Sequence, residues 1–372
     1  MSPDDRIFLS PPWTDDAERR AVGTAFDSHY IAPCGPMVDE FERRLSGLSG
    51  MNATAVSSGT AAIDLLMDEF GVGPGTFVFA PSLTFIATVG PAARRGAKPV
   101  FIDTDPRTGT MSVPLLDSAL AQHRESSPTA ELFVIAADLY GQCSEYDDIE
   151  ETALRHGATL ITDAAEAVGA TYKGRPAGAS GSAAIYSFNG NKIITSSGGG
   201  AVLSNDPEIA ARARWRAQQS RENVVWYEHR EVGHNYRMSN LLAAVGIAQI
   251  EKLPEIIRRK CEAFKRWESI LSGRAKPFPC SQNTASTHWL SVFLFDTETA
   301  RDKMSARLAA VNAESRPVWK PMHLQPVFAS AERFGGEVCE DFFHRGICLP
   351  SGAGLTEEQW ARLERAADFQ GF

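Results

Sequence analysis

Short apolar runs alternate with helical patterns through the first two-thirds of the chain. The runs are rich in β-branched or other apolar residues and predict seven strands, over residues 54–57, 77–80, 99–102, 132–136, 159–162, 183–187 and 200–203. Helical patterns lie between several of them. One follows Thr60 and stops at Gly71, one begins at Tyr146 and stops at Gly157, and Asp206-Pro207 has the carboxylate cap and first-turn proline of a helix start. Strands that alternate with helices predict a mostly parallel sheet covered on both faces.

The pattern changes from about Ser239 onward. Residues 241–273 predict one or two long helices that connect two domains. The remainder predicts a smaller α+β domain, with a strand over residues 289–295 and helices over residues 302–312 and 356–368. We therefore expect a large domain over residues 1–245, including an N-terminal arm, and a small C-terminal domain over residues 246–372.

Composition narrows the classes of partner. The formal net charge of −9 argues against nucleic acid or an anionic membrane as the main partner. No run approaches the roughly 18 to 20 apolar residues of a membrane helix, and the N-terminus lacks the apolar stretch of a signal peptide. The six cysteines have no metal-type spacing, so we expect no metal site, reduced thiols and a cytoplasmic location.

Residues 57–60 (Ser-Ser-Gly-Thr) lie where a strand turns into a helix. Free backbone N–H groups and the helix dipole at such a junction form an anion site, and Gly59 lets a ligand approach the main chain. The alternative is an ordinary capped helix start, and this motif alone does not separate the two.

Asp163 comes directly after the apolar strand at residues 159–162, and Glu166 follows three positions later. A carboxylate at the carboxyl end of a buried parallel strand faces the crevice where α/β sheets bind ligands. Such a carboxylate is also what pairs with the ring nitrogen of pyridoxal phosphate (PLP) and keeps the ring an electron sink. Asp163 is equally compatible with a helix N-cap.

The segment Ser187-Phe188-Asn189-Gly190-Asn191-Lys192 ends a predicted strand and runs into a turn. The Ser187 hydroxyl can meet a phosphate, and a part-buried Lys192 would be a nucleophilic amine. A lone lysine is usually a surface residue. The combination of a phosphate cradle, a strand-end Asp163 and then Lys192 favours a PLP site. The polar and aromatic segment 233–240 is compatible with either an interface loop or a ligand contact.

At these residues the sequence resembles the DegT/DnrJ/EryC1/StrS family of PLP-dependent nucleotide-sugar aminotransferases. The resemblance covers nearly the whole chain and rests on seven stretches: SSGTAA (57–62), PSLTFIAT (81–88), DLYGQ (138–142), DAAEAVGA (163–170), SFNGNKIITSSGGG (187–200), GHNYRMSNLLAAVG (233–246) and RPVWKPMHLQP (316–326). It implies an aspartate-aminotransferase-like fold (fold type I). The expected architecture is a mostly parallel seven-stranded sheet with a smaller α+β C-terminal domain, in a homodimer with shared active sites.

The resemblance also implies residue roles. Lys192 would hold PLP as a Schiff base and move the proton, Asp163 would pair with the ring nitrogen and Phe85 would stack on the ring. Gly59, Thr60 and Ser187 would hold the phosphate, and Asn235 would reach the phosphate of the neighbouring subunit's cofactor. Glu166, where many members have glutamine, would approach the ring hydroxyl or the substrate. The implied substrate contacts are Ile31, Ala32, Pro33, Arg316, Lys320 and His323.

The SFNGNK form and Glu166 resemble the branch that acts on UDP-linked 4-keto-6-deoxy-N-acetylhexosamines, with L-glutamate as the expected amino donor. Alternatives are 4-amination of a GDP-linked, perosamine-type sugar, 3- or 4-amination of a dTDP-linked keto sugar, or a PLP-binding regulator without turnover. Lys192 counts against the branch that uses histidine there for deoxygenation. Two departures from the family pattern stand out: Asp138 replaces a usual histidine and Thr162 a common glutamate.

Overall fold

The computed structural model describes residues 5–368. Within this part the chain forms eleven α-helices and fifteen strands. The strands are β1 (Asn52–Val56), β2 (Phe77–Pro81), β3 (Lys98–Ile102), β4 (Leu132–Ala137), β5 (Thr159–Asp163), β6 (Thr171–Tyr172), β7 (Arg175–Pro176), β8 (Ala183–Ser187), β9 (Gly200–Ser204), β10 (Ala275–Pro277), β11 (Thr284–Ala285), β12 (Ser291–Phe295), β13 (Arg316–Pro317), β14 (Glu332–Phe334) and β15 (Gly346–Leu349). The helices are α1 (Asp16–Asp27), α2 (Pro36–Ser49), α3 (Gly59–Glu69), α4 (Gly90–Arg94), α5 (Val113–Ser126), α6 (Tyr146–Arg155), α7 (Pro207–Ala217), α8 (Asn240–Ile270), α9 (Glu298–Ala310), α10 (Glu337–Arg345) and α11 (Glu357–Ala367).

The largest sheet has eight strands in the order β1-β9-β8-β5-β4-β2-β3-β14. The six strands from β8 to β14 are parallel to their neighbours, whereas β1 and β9 pair antiparallel with each other, and β9 with β8. Because parallel strands end at the same edge, the residues that follow β2, β4, β5 and β8 lie along one side of the sheet. Helices cover both faces, and the central strands are buried along almost their whole length.

All seven predicted strands are present, with ends that differ by at most two residues. The predicted helix starts are confirmed at Asp206, whose side chain accepts a hydrogen bond from the Glu208 amide, and at Tyr146. The long helix α8 is a single element despite Pro254 in its interior. Strand β12 and helix α9 are also present, and α9 begins earlier than predicted because Thr297 caps it.

The sheet has eight strands rather than seven. The additional strand, β14, comes from the C-terminal third of the chain and adds parallel to β3 at the edge. Its sequence Glu-Arg-Phe is mostly exposed and has no apolar run, so its pairing rests on tertiary contact and the hydrophobic pattern misses it.

A second sheet, in the order β10-β12-β15-β13, is antiparallel and packs with α9, α11 and the second half of α8 around Trp267 and Phe293. The N-terminal arm joins this region, because Ile7 exchanges backbone hydrogen bonds with Asn312 and Glu314. The predicted division at residue 245 falls in the first part of α8, and β14 belongs to the large sheet. The two-domain division stays a prediction.

None of the helices formed by residues 5–368 combines the length and the apolar character that a membrane span requires.

Asp103 joins the large sheet to the C-terminal part of the chain. Its buried carboxylate follows β3 and accepts hydrogen bonds from the backbone amides of Gly336 (2.7 Å), Cys339 (2.9 Å) and Thr104 (2.7 Å), among others. Burial opposes ionisation, but these backbone donors outweigh it and hold the pKa of Asp103 below its ordinary value. The carboxylate also lies at the start of α10, where the helix dipole favours a negative charge.

Replacing Asp103 with asparagine is expected to lower the free energy of unfolding by about 2 kcal/mol at pH 7, because the amide group faces backbone donors it cannot accept from. The pKa is lowered in the folded state, so the stabilisation is present at neutral pH and is lost as the pH falls through the folded value. The difference between wild type and Asp103→Asn should therefore shrink below about pH 4. Denaturant unfolding between pH 3 and 7 measures the loss of stability and its dependence on pH.

Asp341→Asn, which removes a partly exposed ion pair with Arg345 on α10, is the control and should change stability by less than about 1 kcal/mol. Equal losses for both variants would contradict the role of Asp103.

Candidate active site

A cavity of about 350 Å³ lies at the carboxyl ends of the parallel strands. Residues that follow β2 and β4, the last residues of β5 and β8, and the start of α3 line it together. The predicted cofactor contacts that line it are Gly59, Thr60, Phe85, Asp163, Glu166, Ser187 and Lys192. Residues far apart in sequence thus meet where α/β sheets ordinarily bind ligands.

One wall of the cavity is an anion cradle at the start of α3. Ser58 caps this helix, and its hydroxyl accepts a hydrogen bond from the Ala61 amide at 3.0 Å. The first amides of a helix have no partner within it, so those of Gly59 and Thr60 are available to a ligand. A Cβ on Gly59 would lie 3.0 Å from the Ser187 Cβ, so glycine is what lets this turn approach the end of β8. The cradle combines main-chain donors, hydroxyl groups and the positive end of a helix dipole.

Asp163 is the last residue of β5, and only 6% of its surface is exposed. Its carboxylate accepts hydrogen bonds from the Thr88 hydroxyl (2.7 Å) and the Ala165 amide (3.1 Å). Burial raises the pKa of Asp163, and these donors and the charge of Lys192 oppose the rise only in part. A buried carboxylate of this kind is stabilised when a cation in the cavity pairs with it.

Lys192 lies in a turn closed by the hydrogen bond from its own amide to the Asn189 carbonyl, and its side chain is largely buried. The Nζ atom is 3.5 Å from Glu166 Oε1 and 4.2 Å from the centre of the Trp289 ring. The other oxygen of Glu166 accepts a hydrogen bond from the Tyr140 amide at 3.0 Å. Burial raises the pKa of Glu166, and the charge of Lys192 opposes that rise. The amine thus lies between a carboxyl group and an aromatic face.

Phe85 and Trp319 form another wall, and Tyr140 supports Trp319 from outside the cavity. Phe85 is half-exposed, and its ring centre lies 5.4 Å from that of Trp319. Tyr140 stacks on the same indole at 6.3 Å, and its hydroxyl accepts a hydrogen bond from the Trp319 amide. The exposed face of Phe85 is therefore free to contact a flat ligand, while Trp319 is held from behind.

Asp138, the residue that follows β4, is also buried and lies beside Asp163. Its carboxylate accepts hydrogen bonds from the Tyr146 hydroxyl (2.5 Å) and the Ser144 amide (2.8 Å), and its own amide donates to the Asp163 carbonyl. Burial raises the pKa of Asp138 to about 7, and the charge of Asp163 adds to the rise. Here the usual histidine of the family pattern is replaced by a further acidic group next to Asp163.

A larger cavity of about 820 Å³ adjoins the first and shares Asn191, Trp289 and Trp319 with it. The predicted substrate residues Arg316 and Lys320 line it, as does the N-terminal arm from Phe8 to Pro12. Both basic side chains are exposed, and Arg316 forms an ion pair with Glu314. This cavity has the room and the positive groups for an anionic ligand larger than a single ring.

Other predicted contacts lie outside both cavities. Ile31 is 55% exposed, and its neighbours Ala32 and Pro33 are at least partly exposed on the surface before α2. Asn235 is exposed and pairs through its backbone with Gln218. His323 is buried, and its ring contacts Ser82 Oγ at 2.6 Å and Glu340 at 2.9 Å. Within one chain these residues are not brought to the cavities.

Sequence reasoning missed Thr88, Tyr140, Trp289 and Trp319. Thr88 lies within the quoted PSLTFIAT stretch and Tyr140 within DLYGQ, so both could have been named from their motifs. Trp319 lies within the quoted stretch 316–326. Trp289 lies just before β12, far from any cofactor motif, and no local pattern marks it.

The model of the DegT/DnrJ/EryC1/StrS aminotransferase family matches residues 12–366. The chain belongs to this family. It is 43% identical over 365 residues to EpsN of Bacillus subtilis, whose name places it among the PLP-dependent aminotransferases, covering 96% of this chain and 94% of that protein. It is 35% identical over 374 residues to the GDP-perosamine synthase of Caulobacter vibrioides, covering 99% of each. A crystal structure of a DegT/DnrJ/EryC1/StrS aminotransferase from Brucella abortus has a TM-score of 0.87 and 28% identity, with 95% of this chain and 94% of that chain covered.

These similarities confirm the predicted family, the fold type I architecture and the PLP-dependent aminotransferase activity. The residues of the smaller cavity fit PLP as its cofactor. The anion cradle suits the phosphate, Phe85 offers a face to the ring, Asp163 is a buried carboxylate suited to a cationic ring nitrogen, and Lys192 is the amine that can bind the aldehyde. We propose these residue roles for this DegT/DnrJ/EryC1/StrS aminotransferase.

Lys192→Ala is expected to abolish covalent attachment of PLP, because no other amine shares the cavity with Asp163 and the anion cradle among residues 5–368. The measurement is borohydride fixation of the cofactor followed by peptide mass analysis. Lys173→Ala, which removes an exposed lysine that pairs with Asp147, is the control and should retain labelling at Lys192. Labelling of a different lysine in the wild type would refute the assignment.

Proposed function

We propose that this aminotransferase moves an amino group from L-glutamate to C4 of a UDP-linked 4-keto-6-deoxy-N-acetylhexosamine. The observation that carries the proposal is the position of Glu166. This residue, found where many members of the family have glutamine, lies 3.5 Å from the Lys192 amine and is fixed by the Tyr140 amide. The SFNGNK form around Lys192 supports the same branch.

PLP, when bound, would supply both the electron sink and the carrier of the amino group between the two substrates. The chain supplies the acid–base chemistry. Lys192 Nζ removes the proton from the α carbon of the amino donor and later delivers a proton to C4 of the sugar. Asp163 holds the ring nitrogen protonated from within the sheet. Burial of the site limits the access of water.

The larger cavity is the proposed place for the nucleotide part of the substrate. It opens beside Asn191, directly before Lys192, so a ligand that fills it can present one end to the amine. Arg316 and Lys320 offer positive charge to a diphosphate, and Phe8 and Trp319 offer apolar surface. We keep His323 as an indirect contact, because its ring is already bonded to Ser82 and Glu340.

A second candidate is 4-amination of a GDP-linked keto sugar. The similarity to the GDP-perosamine synthase over nearly the whole chain favours it. Both candidates use the same smaller cavity, because the nucleotide lies away from the reacting carbon. They differ in the nucleotide that the larger cavity must accept and in the C2 substituent of the sugar, which is an acetamido group in the first candidate and a hydroxyl in the second.

Incubation with glutamate and UDP-, GDP- and dTDP-linked 4-keto-6-deoxy sugars, read by mass, tests the substrate. We expect the UDP-linked N-acetylhexosamine to gain an amino group with a kcat/KM at least about tenfold above the others, a difference of about 1.4 kcal/mol. Lys192→Ala protein is the control for amination that does not depend on the site. A preference for the GDP-linked sugar would replace the first proposal with the second.

We further propose that the enzyme works as a homodimer whose active sites are shared. Asn235, implied by the resemblance as a phosphate contact, lies outside the cavity of its own chain. The nearby segment exposes Val225 (97%), Tyr227 (79%) and Val232 (100%), a concentration of exposed apolar residues that suits contact with a second copy.

Mixed dimers test the shared site. Lys192→Ala and Asn235→Ala subunits are each expected to be nearly inactive alone, because each lacks one group in every site. Random mixing at equal amounts should restore about a quarter of wild-type activity, since half of the dimers then contain one complete site. Activity after dissociation and reassociation is the measurement, and mixing either variant with itself is the control. Absence of rescue would show that Asn235 does not act across subunits.

A further inference from the structure

Lys260 on α8 is a buried lysine that has no carboxylate partner among the residues that the structure describes. Only 2% of its surface is exposed. Its Nζ atom donates hydrogen bonds to Ser10 Oγ, the Trp289 carbonyl and the Ser351 carbonyl, each at 3.0 Å. These three acceptors match the three N–H groups of an ammonium ion, so all of its donors are satisfied. Burial alone lowers the pKa of Lys260 to about 7.

A charge buried at such a cost calls for an explanation, since an apolar side chain of the same length would fill the space. The three acceptors come from separate parts of the molecule: the N-terminal arm, the segment just before β12 and the segment after β15. Lys260 therefore links these three segments through hydrogen bonds from a single amine. Ser351 is itself fixed in the same place, because its amide donates to the Leu9 carbonyl and its hydroxyl accepts from the Ser291 amide.

The hydrogen-bond network of Lys260 reaches the smaller cavity through Trp289. Lys260 holds the Trp289 main chain, the indole N–H donates to the Asn191 carbonyl at 2.7 Å, and the indole face lies 4.2 Å from Lys192 Nζ. Ser10, held by Lys260, has its hydroxyl 3.5 Å from the same Asn191 carbonyl. Two hydrogen-bonded paths, one through Trp289 and one through Ser10, thus connect Lys260 to Asn191, the residue that precedes Lys192. An aromatic face at this distance stabilises an ammonium ion.

We propose that Lys260 is a positioning residue for the cofactor lysine: it clamps Trp289 so that the indole ring and its N–H hold Lys192 at the cavity. The inference rests on the proposed role of Lys192 as the attachment residue. Lys260 does not touch the cavity, and its effect on Lys192 passes through Trp289. Because Ser10 also lines the larger cavity, the same clamp fixes part of the wall proposed for the nucleotide.

The rate at which added PLP attaches to cofactor-free protein, followed by absorbance across pH, tests the clamp. Attachment requires the neutral amine, so the pH of half-maximal rate reports how strongly the surroundings favour the ammonium form. In Lys260→Met the ring is no longer held against Lys192, and we expect this midpoint to move down by about one pH unit. Trp289→Leu should produce a similar shift.

A double-mutant cycle separates positioning from general destabilisation. If Lys260 acts through Trp289, adding Lys260→Met to Trp289→Leu should leave the midpoint where Trp289→Leu puts it, whereas independent effects would add. Lys252→Met is the matched control, because Lys252 lies on the same helix, contacts the N-terminal arm at the Trp13 carbonyl and pairs with Glu18. Its midpoint should equal that of the wild type.

A folded Lys260→Met protein with the wild-type midpoint, or additive shifts in the double variant, would overturn the proposal. If the methionine variant does not fold, as judged by circular dichroism, Lys260→Leu replaces it under the same criteria, since it also removes all three N–H donors. Peptide mass analysis of the borohydride-fixed wild type shows independently whether PLP is on Lys192. Attachment elsewhere would refute the role of Lys192, whereas attachment at Lys192 with an unmoved midpoint would refute the clamp alone.

Discussion

The site depends on the burial of charge at one edge of the large sheet. Asp138, Asp163 and Glu166 are all nearly inaccessible to water, and Lys192 is the cation beside them. Burial raises the pKa of all three acidic groups, so their ionised forms become more stable when a positive charge enters the cavity. A cofactor with a cationic ring nitrogen and an anionic phosphate relieves that imbalance when its nitrogen meets Asp163 and its phosphate meets the start of α3. The cavity is thus electrostatically matched to a ligand with charges at both ends.

The order of strands in the large sheet brings the polar groups of the smaller cavity together. Parallel strands bring Asp163 and Ser187 to the same edge, and the antiparallel pair of β1 with β9 brings the start of α3 next to the end of β8. Gly59 permits the close approach between α3 and Ser187. The positions of the anion cradle and of the strand-end carboxylate therefore follow from the order of strands in the sheet. Residues from loops, such as Phe85 and Lys192, complete the cavity from either side.

The C-terminal part of the chain is equally necessary to the site. It provides Trp289 and Trp319, which line both cavities. Lys260 holds the main chain of Trp289, and Tyr140, which follows β4 of the large sheet, holds that of Trp319. Asp103 fixes α10 against the end of β3 from the other direction. The C-terminal wall of the two cavities is therefore anchored to the sheet by polar contacts as well as by apolar packing.

The sequence by itself determined the seven main strands, the fold class and the family, and it singled out Lys192 and Asp163 as the proposed cofactor residues. These features depend on local patterns: apolar runs at strand spacing, caps at helix starts and compact motifs around Asp163 and Lys192. It did not reveal β14, because three mostly exposed residues form a strand only when β3 offers them an edge. Lys260 stands in the sequence as the last residue of the basic run Arg-Arg-Lys on α8, and its burial appears only when the N-terminal arm and β12 pack over it. Tertiary structure decided which of the many lysines, tryptophans and carboxylates meet, since long-range packing selects partners that no spacing along the chain records.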